Sequence, residues 1–94
     1  KELRPIGLTW SEQLYRRSLG AVGGFICATD AALRDGFSAT LSGGTHHAHS
    51  NSGEGYCVFN DFAVSALRLV SAKRASRILI LDLDVHQGNG NSSI

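Results

Sequence analysis

Residues 77–90, RILILDLDVHQGNG, constrain this chain more than any other stretch. Ile78, Leu79, Ile80 and Leu81 form an unbroken branched apolar run, with basic residues before it and glycines after it. That is the pattern of a strand buried in a parallel sheet. Asp82, Asp84 and His86 follow at intervals of two. Side chains alternate faces along a strand, so all three are expected on one side near its carboxyl end, where open parallel sheets place their ligand sites. Two carboxylates and an imidazole converging there need a cation or hydrogen-bond partners to offset their desolvation.

The remaining segments fit around that strand. Residues 1–8 hold the only proline, Pro5, and read as an extended lead-in. Thr9 and Glu12 have capping-box spacing and Ser11 is a competing N-cap, so a helix starts there. Leu14, Leu19, Val22, Ile26 and Leu33 keep an apolar stripe on its face. Gly20, Gly23 and Gly24 predict a kink, a break or a close-packed face, and Gly36 after Arg34 and Asp35 predicts the C-terminal cap. Residues 37–41 read as a second parallel strand running into Ser42, Gly43 and Gly44. Residues 48–57, AHSNSGEGYC, read as a surface loop. Asn60 or Asp61 caps a second helix with Phe62, Ala63, Ala66, Leu67 and Val70 on its apolar face, and Lys73, Arg74 and Arg77 at its C-terminal side. Helix, strand, loop, helix, strand with a right-handed crossover is an α/β architecture.

A hydrophobic content of 43% with 18% charged residues is that of a folded protein, and a net charge of +1 argues against nucleic acid or an anionic membrane as the main partner. No run approaches the roughly 18 apolar residues of a spanning helix and no signal-peptide pattern opens the chain, which predicts an intracellular protein, cytoplasmic or, in a eukaryote, nuclear. Cys27 and Cys57 lack metal or redox spacing and are expected as reduced, buried thiols. Trp10, Phe25 and Phe62 are expected in the core and Arg16 and Arg17 on a solvated face. The chain begins at Lys1 and stops at Ile94 after a glycine-rich turn that should lead into another helix, so residues 1–94 are expected to be part of one larger catalytic domain.

Asp84 and His86 offer a hard oxygen and an imidazole nitrogen to one ion, a pairing suited to zinc. An isolated D-x-H is equally a capped loop with a satisfied histidine. His46 and His47, directly after the other expected strand, add to the case, because two imidazoles beside a metal can divide proton transfer and charge stabilisation. Each needs an acceptor on its far nitrogen, and Asp82 and Asn89 are the available partners. Other motifs fit less well. Haloacid-dehalogenase-like phosphatases share the strand and D-x-D but leave His46 and His47 without a role. Metallo-β-lactamase-like hydrolases share H-x-H at His47 and His49 but lack the acidic residue that should follow. Arginase-like dimanganese enzymes carry D-x-H-x-D, where Gly88 here removes a bridging carboxylate and argues for one metal.

GGTHHAHSNSGEGYCVFND and LDLDVHQGNG together closely resemble the zinc-dependent histone deacetylase family, over roughly residues 5–94. HQGNG and GLTWSEQLYRRS look most like its class IV branch and bacterial relatives. The resemblance implies the arginase/deacetylase fold, a three-layer α/β/α arrangement with a parallel sheet, of which this chain carries a part. In that family a zinc-bound water attacks the carbonyl of an acylated lysine. Carried onto this sequence, Asp84 and His86 are zinc ligands, and a third ligand and an oxyanion-stabilising tyrosine lie beyond Ile94. His47 is the general base and acid, oriented by Asn89, and His46 is the electrostatic partner, held by Asp82. Gly55 offers a backbone carbonyl to the substrate amide and Tyr56 walls the lysine tunnel. Potassium is implied near Asp82 and the main-chain carbonyls of Asp84 and His86. The 94 residues alone are expected to bind zinc poorly and to be inactive. The partner is an acylated lysine side chain, of acetyl or longer acyl type, or a small acylated amine, and the rival is a silent acyl-lysine-binding module. His49 is expected as a solvated loop residue without a role, and Glu54, next to the expected entrance, as an exposed loop acid or an influence on substrate choice.

Overall fold

The computed structural model describes residues 5–94; the first four residues of the expected lead-in lie outside the described residues. Helix α1 runs over Glu12–Asp35, and Ser11 is its cap: the hydroxyl accepts the Leu14 N–H at 3.0 Å. The helix passes through Gly20, Gly23 and Gly24 without a break. Side chains at Gly20 or Gly23 would meet nothing within 4 Å. These two glycines therefore serve neither a kink nor a close contact, and each costs about 1 kcal/mol of helix propensity relative to alanine. At Gly36 the backbone turns left-handed, with φ 99°, and its N–H closes on the Ala32 carbonyl at 2.8 Å.

Helix α2 covers Asp61–Ser71 and is capped by Asn60, whose side chain accepts from the Ala63 N–H at 2.9 Å. Phe25 of α1 meets Phe62 of α2 edge to face with centroids 5.0 Å apart, and both rings, expected in the core, are partly exposed. A one-turn helix α3, Asn89–Ser93, follows the glycine-rich turn. Among the described residues no helix is long and apolar enough to cross a membrane.

The two expected strands are not formed among the described residues, so neither a parallel sheet nor its right-handed crossover is present in residues 5–94. The physical reason is the absence of a neighbouring backbone to exchange ladder hydrogen bonds, without which a lone strand has no stabilising partner. Residues 78–85 nevertheless alternate as an extended chain does. Ile78 and Ile80 are 40% and 37% exposed and line a pocket with Phe25, Phe62 and Leu69, whereas Leu79 is 90% exposed, in one outward row with Leu81, Leu83 and Val85. Trp10, Leu19, Leu33, Leu67 and Val70 are also exposed, where an apolar face or core was expected. Cys27 is exposed, Cys57 is buried, and both are free.

What holds the loops is a buried polar clamp at the start of α2. Asp61 has no exposed surface, and its carboxylate accepts the N–H groups of Gly44 at 2.9 Å, Thr45 at 3.2 Å and Phe62 at 2.9 Å. The Asp61 N–H in turn donates to the Thr45 hydroxyl at 3.0 Å. Asn60 donates to the Ala48 carbonyl at 3.0 Å and to Asn91 Oδ1 at 2.7 Å, joining loop, α2 and α3 at one residue. Elsewhere Arg68 and Arg74 both bond Asp30, tying α1 to the end of α2.

Asp61→Ala strips acceptors from backbone donors that have no other partner, and should cost about 3 kcal/mol in urea denaturation. A loss below about 0.5 kcal/mol, the ordinary range for surface substitutions, would contradict the clamp. Hydrogen bonding from Arg68, and then Arg74, holds the Asp30 carboxyl below its usual range. A depressed carboxyl stabilises above the ordinary carboxylate range, and the contribution is lost as pH falls through the lowered folded value. Asp30→Asn should therefore lower the melting temperature at pH 7 and converge on wild type as pH falls below the carboxylate range. A difference that persists unchanged at acid pH would refute the ion pair's role.

Candidate active site at the tandem histidines

Pinned by Asp61 at Gly44 and Thr45, and by Asn60 at Ala48, the loop presents His46 and His47 between its anchors. Gly90 of α3 packs directly against this backbone, where any Cβ would collide with the carbonyls of Ala48 and His46. The Asn91 N–H donates to the His46 carbonyl at 3.2 Å. This close approach is open only to glycine, and it brings Asn89 beside the histidines.

His46 is buried, and its Nδ1 lies 2.6 Å from Asp82 Oδ2. His47 Nδ1 lies 2.6 Å from Asn89 Oδ1. A carboxylate or an amide oxygen can only accept, so both rings donate from Nδ1 and keep the proton there. The two imidazoles are 4.2 Å apart, and the His47 ring is 6.1 Å from that of His86. Hydrogen bonding from His46, and then the Asp84 N–H at 3.0 Å, keeps the Asp82 carboxyl below its usual range. Asp84 is lowered in the same way, by the His86 N–H at 2.6 Å and then the His86 ring at 2.8 Å. Residues 82–86 are thus two successive turns in which an aspartate accepts the N–H two residues on.

Gly55 and Tyr56 are the centre of a tight turn closed by two hydrogen bonds between Glu54 and Cys57, with φ 51° and 64°. Both positive angles match a type I′ turn, for which glycine is suited and tyrosine is not. The turn docks on the lead-in through Gly55 N–H to the Pro5 carbonyl and Tyr56 N–H to the Ile6 carbonyl. A Cβ at Gly55 would stand 2.7 Å from the His47 ring. Tyr56 is exposed, and the Gly55 carbonyl receives the Cys57 thiol at 3.4 Å. Burial pushes that thiol's pKa up.

His46, His47, Gly55, Asp82, Asp84, His86 and Asn89 therefore lie in one patch, whereas the Tyr56 ring packs beside Gly7, away from the histidines. Two further residues belong to it that sequence reasoning set aside. Glu54 Oε2 contacts His49 Nε2 at 3.0 Å and Asn89 Nδ2 at 3.1 Å, and His49 Nδ1 contacts Ser93 Oγ at 2.7 Å. Hydrogen bonding from His49 holds the Glu54 carboxyl below its usual range. The one available signal was the amide of Asn89, which needs an acceptor for its NH2 once its oxygen is committed.

As a metal site the patch fits in part. Asp84 and His86 are adjacent, exposed, and of the oxygen and imidazole types that zinc accepts. Among the described residues no group of three or more such donors converges, so a zinc ion held by Asp84 and His86 would have two of the three protein donors a catalytic site normally supplies. Gly55→Ala should displace His47 and break its bond to Asn89, read as a changed His47 ring environment by NMR. Unchanged His47 signals in that variant would contradict the packing.

The family described as Histone deacetylase domain matches residues 7–94. An uncharacterized protein of Picosynechococcus is 46% identical over the whole chain, which spans 31% of that relative. A probable deacetylase of Methanothermobacter thermautotrophicus is 43% identical over 79% of the chain and 23% of its own length. Histone deacetylase 2 of Arabidopsis thaliana is 39% identical over 77% of the chain and 19% of its own length. The chain therefore covers less than a third of each of these relatives. With nearly every described residue inside the match, the chain belongs to the histone deacetylase family.

Proposed function

We propose that the protein hydrolyses acylated lysine side chains, with Asp84 and His86 holding zinc and the tandem histidines handling protons. The observation that carries this reading is the pair of oriented imidazoles beside Asp84 and His86, one backed by a carboxylate and the other by an amide. Zinc, when bound, supplies Lewis-acid polarisation of the acyl carbonyl and of a water. His47 keeps its proton on Nδ1 and so has Nε2 free to take a proton from the attacking water and pass it to the leaving amine. His46, bonded to the Asp82 carboxylate, is the imidazole we assign to stabilise charge developing beside it. Family membership supports a metal-dependent hydrolase of this kind.

The Gly55 carbonyl is the acceptor we assign to the substrate amide N–H, and the exposed Tyr56 ring the wall for the aliphatic lysine stem. We place potassium at the main-chain carbonyls of Asp84 and His86 beside Asp82. Residues 1–94 are read as one part of a single catalytic domain of the three-layer arginase/deacetylase fold. The outward apolar row of Leu79, Leu81, Leu83 and Val85 supports this, since a buried parallel strand needs cover on both faces. With two donors, these residues alone would hold zinc weakly. HQGNG supports the class IV branch.

The test uses the full-length protein, with zinc content and hydrolysis of acetyl-lysine and myristoyl-lysine peptides measured in parallel. His47→Ala should keep zinc and lose about a thousandfold in kcat, whereas Asp84→Asn should lose both zinc and turnover. Wild-type protein that binds an acyl-lysine peptide without hydrolysing it would make this a silent binding module and overturn the proposal.

A further inference from the structure

We propose that Glu54 is a positioning residue that locks the Asn89 side-chain amide in the one orientation that keeps His47 protonated on Nδ1. The inference deepens the proposed proton-transfer role of His47, and its kinetic half rests on that reading.

The two backed histidines are not equivalent in what they demand of their partners. Asp82 presents an oxygen to His46 Nδ1 whichever way its carboxylate turns. Asn89 does not have that symmetry. Rotated by half a turn, its amide would offer an N–H to His47 Nδ1, which could then only accept. The ring proton would move to Nε2, and Nε2 could no longer take up a proton. Something must set the amide, because the two ends are nearly the same size.

Glu54 is that constraint. Its Oε2 lies 3.1 Å from Asn89 Nδ2, while Asn89 Oδ1 lies 2.6 Å from His47 Nδ1. A carboxylate cannot donate, so the flipped amide would set oxygen against oxygen at this spot and lose the Glu54 hydrogen bond, while the bond to His47 would only reverse its direction. Glu54 is itself braced. His49 Nε2 contacts the same oxygen at 3.0 Å, and His49 Nδ1 reaches Ser93 Oγ at 2.7 Å, which donates to the Gly90 carbonyl at 2.9 Å. On the backbone side, Glu54 exchanges hydrogen bonds with Cys57 at 3.1 and 2.8 Å, closing the turn that carries Gly55. Hydrogen bonding from His49 favours the ionised carboxyl, which is the form that accepts without donating. The contacts run from the end of α3, through His49 and Glu54, back to its first residue and on to His47.

The experiment uses the full-length protein labelled with ¹⁵N-histidine and compares wild type, Glu54→Ala and Glu54→Gln. Long-range ¹H–¹⁵N spectra read which His47 nitrogen carries the proton, and steady-state kinetics on an acetyl-lysine peptide read kcat and KM separately. Wild-type His47 should be protonated on Nδ1. In Glu54→Ala the proton should distribute over both nitrogens, and kcat should fall about tenfold with KM unchanged, a fraction of what a wrong tautomer costs when it is fully populated. Glu54→Gln, whose amide can present either an oxygen or an N–H to Asn89, should restore both readouts only in part, falling between wild type and Glu54→Ala. Side-chain exposure of 47% at Glu54 makes a folding defect a poor substitute explanation, and the dispersed signals of the other histidines check it directly. If Glu54→Ala leaves the wild-type His47 form intact while the protein hydrolyses its peptide, the inference fails and the hydrolytic reading stands. If the tautomer redistributes in a protein that hydrolyses nothing, the lock is real and the hydrolytic reading fails.

Discussion

Asp61 is a fully buried carboxylate at the first turn of α2, where the helix dipole and the free N–H groups of the first turn favour negative charge. It turns that local preference into a tertiary constraint by accepting the N–H groups of Gly44 and Thr45, 17 and 16 positions away. Asn60 does the same with Ala48 and Asn91. One helix end therefore fixes both sides of the histidine loop and the start of α3. A buried charge left without partners would be costly, so the loop has little freedom to leave it. The glycines beside this clamp follow from it: Gly43 lies where a Cβ would come within 2.9 Å of Asp61, and Gly90 where one would strike the loop backbone.

From that clamp the site inherits its asymmetry. Both imidazoles donate from Nδ1, but one faces a carboxylate and the other an amide. The two chemically identical side chains therefore differ in what stands behind them, one a carboxylate and the other an amide whose orientation can reverse. The aspartates and His86 sit at the end of the segment whose even-numbered residues face α1 and α2, so the same alternation that half-buries Ile78 and Ile80 delivers Asp82 to His46.

Much of this was legible in the sequence. Ser11, Gly36 and Asn60 were visible as caps because capping is a local interaction between residues three or four apart. Asp82 and Asn89 were legible as acceptors for His46 and His47 because a buried imidazole needs one and few were on offer, while which histidine takes which came from the family resemblance. The strands were not observed, because pairing is non-local and residues 5–94 place no second backbone beside residues 78–81. Apolar pattern marks what a segment would bury and not whether its cover is present, which is also why Leu67 and Val70 stand exposed. Asp61 was read as a cap and no more, since its other partners are far along the chain. Glu54 and His49 were hidden by their setting, a polar loop with no periodicity to distinguish a bonded side chain from a solvated one.

The proposition beneath these points is that two loops distant in sequence meet over one cation, one supplying ligands and the other proton carriers. Crystals of the full-length protein grown with zinc and measured at its absorption edge test it most directly. A single anomalous peak in contact with both Asp84 and His86, on the side facing His47, is the expected result. A peak bound elsewhere, or tandem histidines remote from the metal, would contradict it.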